Sequence, residues 1–275
     1  MSAGVGLTDT HAHLTHPDLW HSRLGCAPGI TGEGACATSA PIARAAAAGV
    51  GRIITVGFDL ATSASGARLA ATDERVWHAP GIHPHDASCV GPEALAELRR
   101  LATLPRAVAI GETGLDFYRD RSPRDAQAAA FRAHLALAAE LDLPVIVHSR
   151  DAHQEVLAIW AEGERRRGVL HCFSGDADIA RRAVEIGLYI GIAGPVTFRS
   201  AERLRAIVRG LPRERVLLET DCPYLAPHPH RGEPNEPAYL PLIAAAVAQC
   251  WGVTAAEVAQ ITTANAAACF PELAG

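Results

Sequence analysis

The chain has 275 residues, of which 49% are hydrophobic and 5% aromatic, with a formal net charge of −5. That length suits a single α/β barrel of roughly 250 residues as well as it suits two small domains. The mild acidity excludes a general nucleic-acid-binding surface, which needs a basic face to neutralise phosphates, but leaves room for a phosphodiester held locally by metals and a few arginines.

Short apolar, β-branched runs alternate along the chain with alanine- and arginine-rich helical stretches. The first strand candidate, residues 7–14 (LTDTHAHL), carries His11 and His13 two positions apart at its end. Residues 18–40 are rich in Gly, Ala, Ser and Thr and lack periodicity, so they read as a loop insertion after that strand, either a lid or a passive insert. A helix over Pro41 to Ala48 ends at Gly49. Strands follow at 52–57, 76–83 and 107–114. The helix expected from Pro123 to Leu141 has Ser122 as a cap, Pro123 in the first turn and Asp125 at the positive end of the dipole. Its buried face is expected at Phe131, Leu135, Ala138 and Ala139. Further strands at 144–149, 168–173, 188–194 and 215–221 precede a helix from Pro237 to Trp251.

Eight strands alternating with helices predict a parallel sheet with right-handed crossovers, and eight is the number that closes a (β/α)8 TIM barrel. A doubly wound open sheet is the alternative. The first strand-to-helix turn lacks G-x-G-x-x-G, so the barrel is preferred, as a single domain over residues 1–275. The seven cysteines include no Cys-x-x-Cys pair, which argues against a disulfide scaffold or zinc knuckle and suits a reducing cytoplasm. Neither a signal peptide nor an apolar run of about 18 residues is expected, so no membrane partner is either.

The polar exceptions to the apolar strands fall at their ends: His11 and His13, then Glu112, His148, His171 and Asp221 on the first, fourth, fifth, sixth and eighth strands. Residues i and i+2 of a strand share a face, and the carboxyl ends of barrel strands converge where active sites of this fold sit. Any one of the six has an ordinary reading as a hydrogen-bonded histidine, a dipole partner or a cap. Together they exceed the three protein ligands of a catalytic zinc and suit two divalent ions sharing a carboxylate. Imidazole with carboxylate favours zinc or manganese over magnesium, and a two-metal centre suits hydrolysis.

TDTHAHL, GIHPH, GETGLDFYRD, PVIVHSRDA, HCFSGD, ETDCPYL and PNEPAYL resemble the TatD family of metal-dependent deoxyribonucleases, in order and spacing, from about Thr8 to Phe270. The resemblance implies a (β/α)8 barrel of the amidohydrolase superfamily, a two-metal site and, as in several members, DNA 3′-exonuclease activity. It places one ion on His11, His13, Glu112 and Asp221, with Glu112 bridging to a second on His148 and His171. A carboxylated-lysine bridge is excluded, since all 25 basic residues are arginine.

Glu112, Asp221 and His83 are the expected catalytic residues, the resemblance turning His83 toward the substrate, and His83, His85, Arg150 and Arg231 are the expected substrate contacts, Arg150 because it follows His148 and can pair a phosphate through two bonds. For His85 the alternative is a turn fixed by Pro84, and for Arg150 a charge balance with Asp151. Glu219 is expected to orient a ligand or water, and Cys172 and Cys222 to pack. His228, His230, Asn235 and Glu236 share the loop after the eighth strand with Arg231. The family usually carries a basic stretch followed by NEP there; HPHRGEPNEP adds Glu233 and Pro234. The resulting expectation is a monomeric, cytoplasmic phosphodiesterase acting on single-stranded DNA or DNA ends, with two divalent ions (Zn, Mn or Mg) and a metal-bound hydroxide as nucleophile. The rival is the same centre acting on an ester or amide, such as a D-aminoacyl-tRNA or a small lactone. A non-enzymatic barrel ranks low because the ligand set is complete.

Overall fold

A computed structural model describes residues 6–16, 36–163 and 167–274. The strands are β1 (Leu7–Ala12), β2 (Val50–Val56), β3 (Val76–Ala79), β4 (Ile110–Asp116), β5 (Val145–Arg150), β6 (Gly168–Leu170), β7 (Tyr189–Ile192) and β8 (Val216–Leu218). The helices between and after them are α1 (Cys36–Ala47), α2 (Leu60–Ala70), α3 (Pro92–Ala102), α4 (Arg124–Glu140), α5 (His153–Ala161), α6 (Ala177–Glu185), α7 (Glu202–Gly210), α8 (Leu240–Trp251) and α9 (Ala255–Cys269). All strand pairings are parallel, in two ladders, β1–β2–β3 and β4 through β8. Bridges between His78 and Ala107 and between Ala12 and Cys222 join the ladders on both sides and close the ring.

Most strands end a little before their expected limits, and β3, β6 and β8 stop the furthest short, at Ala79, Leu170 and Leu218. Pro80 has no N–H to extend β3. Cys172 and Asp221 take left-handed φ angles of 44° and 58°, which turn the chain off β6 and β8. His83, His171 and Asp221 therefore stand in loops just past the carboxyl ends. β4 instead runs on to Asp116, so Glu112 is its third residue rather than its last. A register shift between Ile110 and Thr113 breaks the ladder with β5 at that point. Gly111, at φ 150°, sits inside the shift, and a Cβ there would lie 2.6 Å from the Ile146 carbonyl oxygen.

The barrel interior is a separate apolar cluster in which Ile54, Trp77, Ile146, Val169 and Leu217, from five strands, meet Phe270 and Leu273. α9 closes the amino end. Its Thr263 hydroxyl donates to the Gly6 carbonyl (3.0 Å), and the Asn265 amide donates to the Arg213 and Val216 carbonyls (both 2.8 Å), at the starts of β1 and β8. The opposite end carries the polar residues.

Three helical details differ from the sequence reading. α1 begins at Cys36, inside the expected insertion, whose residues 18–35 lie outside the described residues. Ser122 does not cap α4; its hydroxyl donates to the His85 carbonyl (2.7 Å), because the loop bearing His85 packs against that turn. Ala139 is exposed, and His134 and Leu137 are buried with Phe131, Leu135 and Ala138 instead.

His134 ties α4 to the loop that carries His83. The Ile82 N–H donates to Nε2 (3.2 Å), so the ring proton sits on Nδ1 and is donated to the Ala130 carbonyl (2.7 Å). Burial pushes its pKa down to about 4. An unfolded chain binds this proton near pH 6.5, so the stability held by neutral His134 is intact above that pH and declines toward pH 4. Wild type should lose about 2 kcal/mol more than His134→Gln between pH 7 and pH 5 in denaturant unfolding, since the glutamine oxygen can accept from Ile82 without titrating. Equal pH slopes in the two proteins would count against this role.

Candidate metal centre

Asp9, His11 and His13 alternate along β1 and its end, which puts all three on one side of the strand. The His13 Nδ1–H donates to the Val56 carbonyl (2.9 Å), leaving Nε2 bare toward the barrel mouth. His11 Nε2 lies 3.2 Å from His13 Nε2. Glu112 Oε2 is 3.6 and 3.4 Å from these two nitrogens, and Asp221 Oδ1 is 3.7 and 3.5 Å from them. Four donors at roughly 2.0–2.1 Å around a tetrahedral cation stand about 3.3 Å apart, so these separations match the edges of one coordination shell.

The other oxygen of Glu112 faces a second group. Oε1 is 2.7 Å from His148 Nδ1 and 2.8 Å from His171 Nε2, and those nitrogens are 3.2 Å apart. His83 Nε2 is 3.5 Å from the same oxygen. One carboxylate thus has an oxygen in each of two imidazole groups. All six sequence-predicted ligands come together here, and His148 alone among them is more than slightly exposed, at 16% of its side chain.

The electrostatics point the same way. Burial pushes His11 down to about 4. At His13 burial also opposes charge, but the Asp221 hydrogen bond and the Glu112 charge outweigh it and raise the pKa. At His148 burial is likewise outweighed, by Asp116 and Glu112, and the pKa rises to about 9. Burial works against charge on Glu112 too, yet the imidazoles of His171 and His83 hold it well below the usual carboxylate range. Buried carboxylates here draw positive charge onto their neighbours, which is the environment a divalent cation fits.

Several buried groups support these residues and are not singled out by the sequence reading. Asp116 Oδ2 lies 3.3 Å from His148 Nε2 and 2.9 Å from His85 Nε2, so it orients the ring whose Nδ1 faces Glu112. His85 is therefore held by Asp116 as well as by the Pro84 turn. Gln127 accepts from the Asp116 N–H (2.8 Å) and donates to the Ser122 carbonyl (2.8 Å), which fixes that segment. Asp9 accepts from the Thr220 N–H (2.9 Å) and hydroxyl (2.6 Å), tying β1 to the Asp221 loop. The LTDTHAHL parity places Asp9 beside the histidines, and GETGLDFYRD contains Asp116 at an even spacing from Glu112. These were the available signals.

Glu219 is fully buried, accepts from the Cys172 N–H, and lies 3.7 Å from His171 Nδ1. Burial raises its pKa well above the usual range. Gly191 makes the space, since a Cβ there would lie 2.5 Å from Glu219 Oε2. Burial also pushes the Cys172 and Cys222 thiols well up, so both pack as neutral groups.

The expected substrate contacts fall into two kinds. His83 accepts the His85 N–H at Nδ1 (3.1 Å), and burial holds the ring well below its ordinary pKa, so its proton sits on Nε2 and faces the centre. Arg150 lies with its guanidinium carbon 3.9 Å over the Tyr118 ring, and Arg231 likewise 3.7 Å over Phe198. Neither pairs with a carboxylate among the described residues, Asp151 included. The remaining loop residues are engaged with the protein. Asn235 donates to the Thr220 and Tyr224 carbonyls (both 2.7 Å), Glu236 accepts from Arg44 (2.8 Å), and His230 is 3.0 Å from Glu233 and stacks on Tyr239. The His228 N–H donates to the Thr197 hydroxyl (2.8 Å).

The sequence profile of the family described as TatD related DNase matches residues 8–271. The metal-dependent hydrolase YabD of Bacillus subtilis is 40% identical over 266 residues, covering 96% of this chain and 98% of the relative. The 3′-5′ ssDNA/RNA exonuclease TatD of Klebsiella pneumoniae is 43% identical over 237 residues, 83% of this chain and 90% of that one. Among solved structures, the TatD homologue YjjV of Escherichia coli superposes with a TM-score of 0.85 at 30% identity, over 96% of this chain and 98% of that chain. With the profile spanning the barrel from β1 to the residues that close its amino end, and a relative of this identity matched over nearly its whole length, the chain belongs to the TatD family of metal-dependent hydrolases.

Proposed function

We propose that this chain is a phosphodiesterase that holds two divalent cations and removes nucleotides from the 3′ ends of single-stranded DNA. The observation that carries this reading is the division of Glu112, with Oε2 facing His11 and His13 and Oε1 facing His148 and His171. The named activity of the Klebsiella relative supports the choice of substrate. His11, His13, Glu112 and Asp221 would hold one cation, and Glu112, His148 and His171 the other. Mixed imidazole and carboxylate donors favour zinc or manganese over magnesium. When bound, such ions supply Lewis-acid charge to a phosphoryl oxygen and make water more acidic.

The chain's own residues complete the chemistry. The Asp221 carboxylate accepts the proton of the attacking water. The His83 Nε2–H donates to the phosphate or to the departing oxygen. Arg150 and Arg231, which have no carboxylate partner among the described residues, pair with phosphate oxygens, and a guanidinium does this through two parallel bonds. His85 stands behind His83, with ring centroids 4.1 Å apart, and steadies it against the substrate.

We further read the chain as one catalytic domain working as a monomer. The exposed large apolar side chains among the described residues, Tyr118, Tyr224 and Leu225, lie in loops after β4 and β8 rather than on outer helices, which supports a monomer. The free thiols of Cys89, Cys172, Cys222, Cys250 and Cys269 suit a reducing compartment such as the cytoplasm.

Three measurements test this reading. Supplied with Mn2+ or Zn2+, the protein should shorten a single-stranded oligodeoxynucleotide from its 3′ end. Turnover of a simple ester or a D-aminoacyl-tRNA, with no cleavage of nucleic acid, would overturn the substrate. Metal analysis should give two ions per wild-type chain and one or none in Glu112→Ala; unchanged stoichiometry and activity would mean that the bridge is misplaced. Asp116→Asn should weaken metal binding or activity by roughly 10- to 100-fold through loss of His148 orientation. An unaltered metal titration and unaltered turnover in that variant would remove Asp116 from the site.

A further inference from the structure

Tyr118 is the most exposed of the large apolar side chains among the described residues, at 59%, in a protein with few aromatics. Its backbone is fixed. Asp116 Oδ1 accepts the N–H groups of Tyr118 (3.1 Å) and Arg119 (2.7 Å), while Oδ2 of the same carboxylate meets His85 and His148. The turn that presents the ring is therefore anchored to the group that orients a candidate ligand. Arg150, two residues beyond His148 on β5, packs its guanidinium 3.9 Å from the ring centre, and the Phe117 N–H donates to the Arg150 carbonyl (2.9 Å). An aromatic ring with its backbone held, the Arg150 guanidinium 3.9 Å from its centre and that of Arg119 further off at 5.7 Å, stands at the edge of the centre, and among the described residues no carboxylate pairs with Arg150.

Resting on the nuclease reading above, we infer that Tyr118 and Arg150 form a nucleobase subsite, in which the Tyr118 ring stacks with the base next to the scissile phosphate while Arg150 takes the phosphate. Stacking accepts every base because every base has a π face, so the subsite adds affinity without sequence preference. The low overall aromatic content does not argue against it, since one correctly placed ring suffices for one base. Arg150 serves both parts, because its stack on Tyr118 holds the guanidinium in place before substrate arrives.

The test compares wild type, Tyr118→Ala and Tyr118→Phe on a single-stranded oligodeoxynucleotide and on the same strand with abasic residues flanking the 3′-terminal linkage. Binding of the labelled strands is followed by fluorescence anisotropy. Tyr118→Ala should raise KM and Kd for the intact strand roughly ten-fold with kcat nearly unchanged, and Tyr118→Phe should restore both. On the abasic strand wild type should already show the weaker binding, and Tyr118→Ala should add nothing. Wild-type values for Tyr118→Ala on the intact strand, or equal losses on both strands, would overturn the subsite and leave the nuclease reading standing. A metal-loaded wild type that cleaves neither strand would overturn both.

Discussion

A single buried carboxylate with an imidazole pair at each of its oxygens is the constraint on which the rest of this structure depends. Glu112 sits at the mouth of an apolar barrel, where an unpaired charge is costly and a paired one still requires compensation. Its neighbours are themselves buried, and His11 is driven toward the neutral form while His13 and His148 are driven toward the charged one. The cluster is thus an electrostatic problem for the folded chain alone and a solved one once divalent positive charge is supplied. A cation held by these nitrogens would compete with protons for them, so its affinity would fall as the pH falls.

The surrounding fold holds this arrangement in place. The register shift at Gly111 puts Glu112 on the mouth-facing side well before β4 ends, and Asp116, at the end of the same strand, steadies His148 from behind. Asp9 and Thr220 fasten the first strand to the loop that carries Asp221, so candidate ligands from opposite ends of the chain are held by a bond between their neighbours. Asn235, reaching two carbonyls of that loop, does the same from outside. The ties made by Asp9, Thr220 and Asn235 act on residues adjacent to a candidate ligand, whereas Asp116 acts on His148 itself.

Much of this was legible in the chain. Alternating apolar runs and helices disclosed the barrel, and the polar residues at strand ends disclosed the six candidate ligands that converge at its mouth, because burial in a parallel barrel leaves few other reasons for histidine and glutamate there. What was less legible follows from backbone detail. Where β3, β6 and β8 stop depends on proline and on left-handed residues that an apolar pattern does not register. Ser122 looked like a cap because its neighbours fit one, but tertiary contact with the His85 carbonyl took its hydroxyl. Asp116 and His134 were hidden for another reason: their work is done through Nε2 of one histidine and the amide of Ile82, contacts between segments that the sequence keeps far apart.

The closure of the amino end by α9, Phe270 and Leu273 has a consequence for traffic. With that end stopped by apolar side chains, anything that reaches Glu112 must come and go through one doorway. Nothing can thread through the barrel, and the centre is met only from the carboxyl face. The product of any reaction at Glu112 must therefore leave by the opening through which its substrate entered, before the next substrate can take its place.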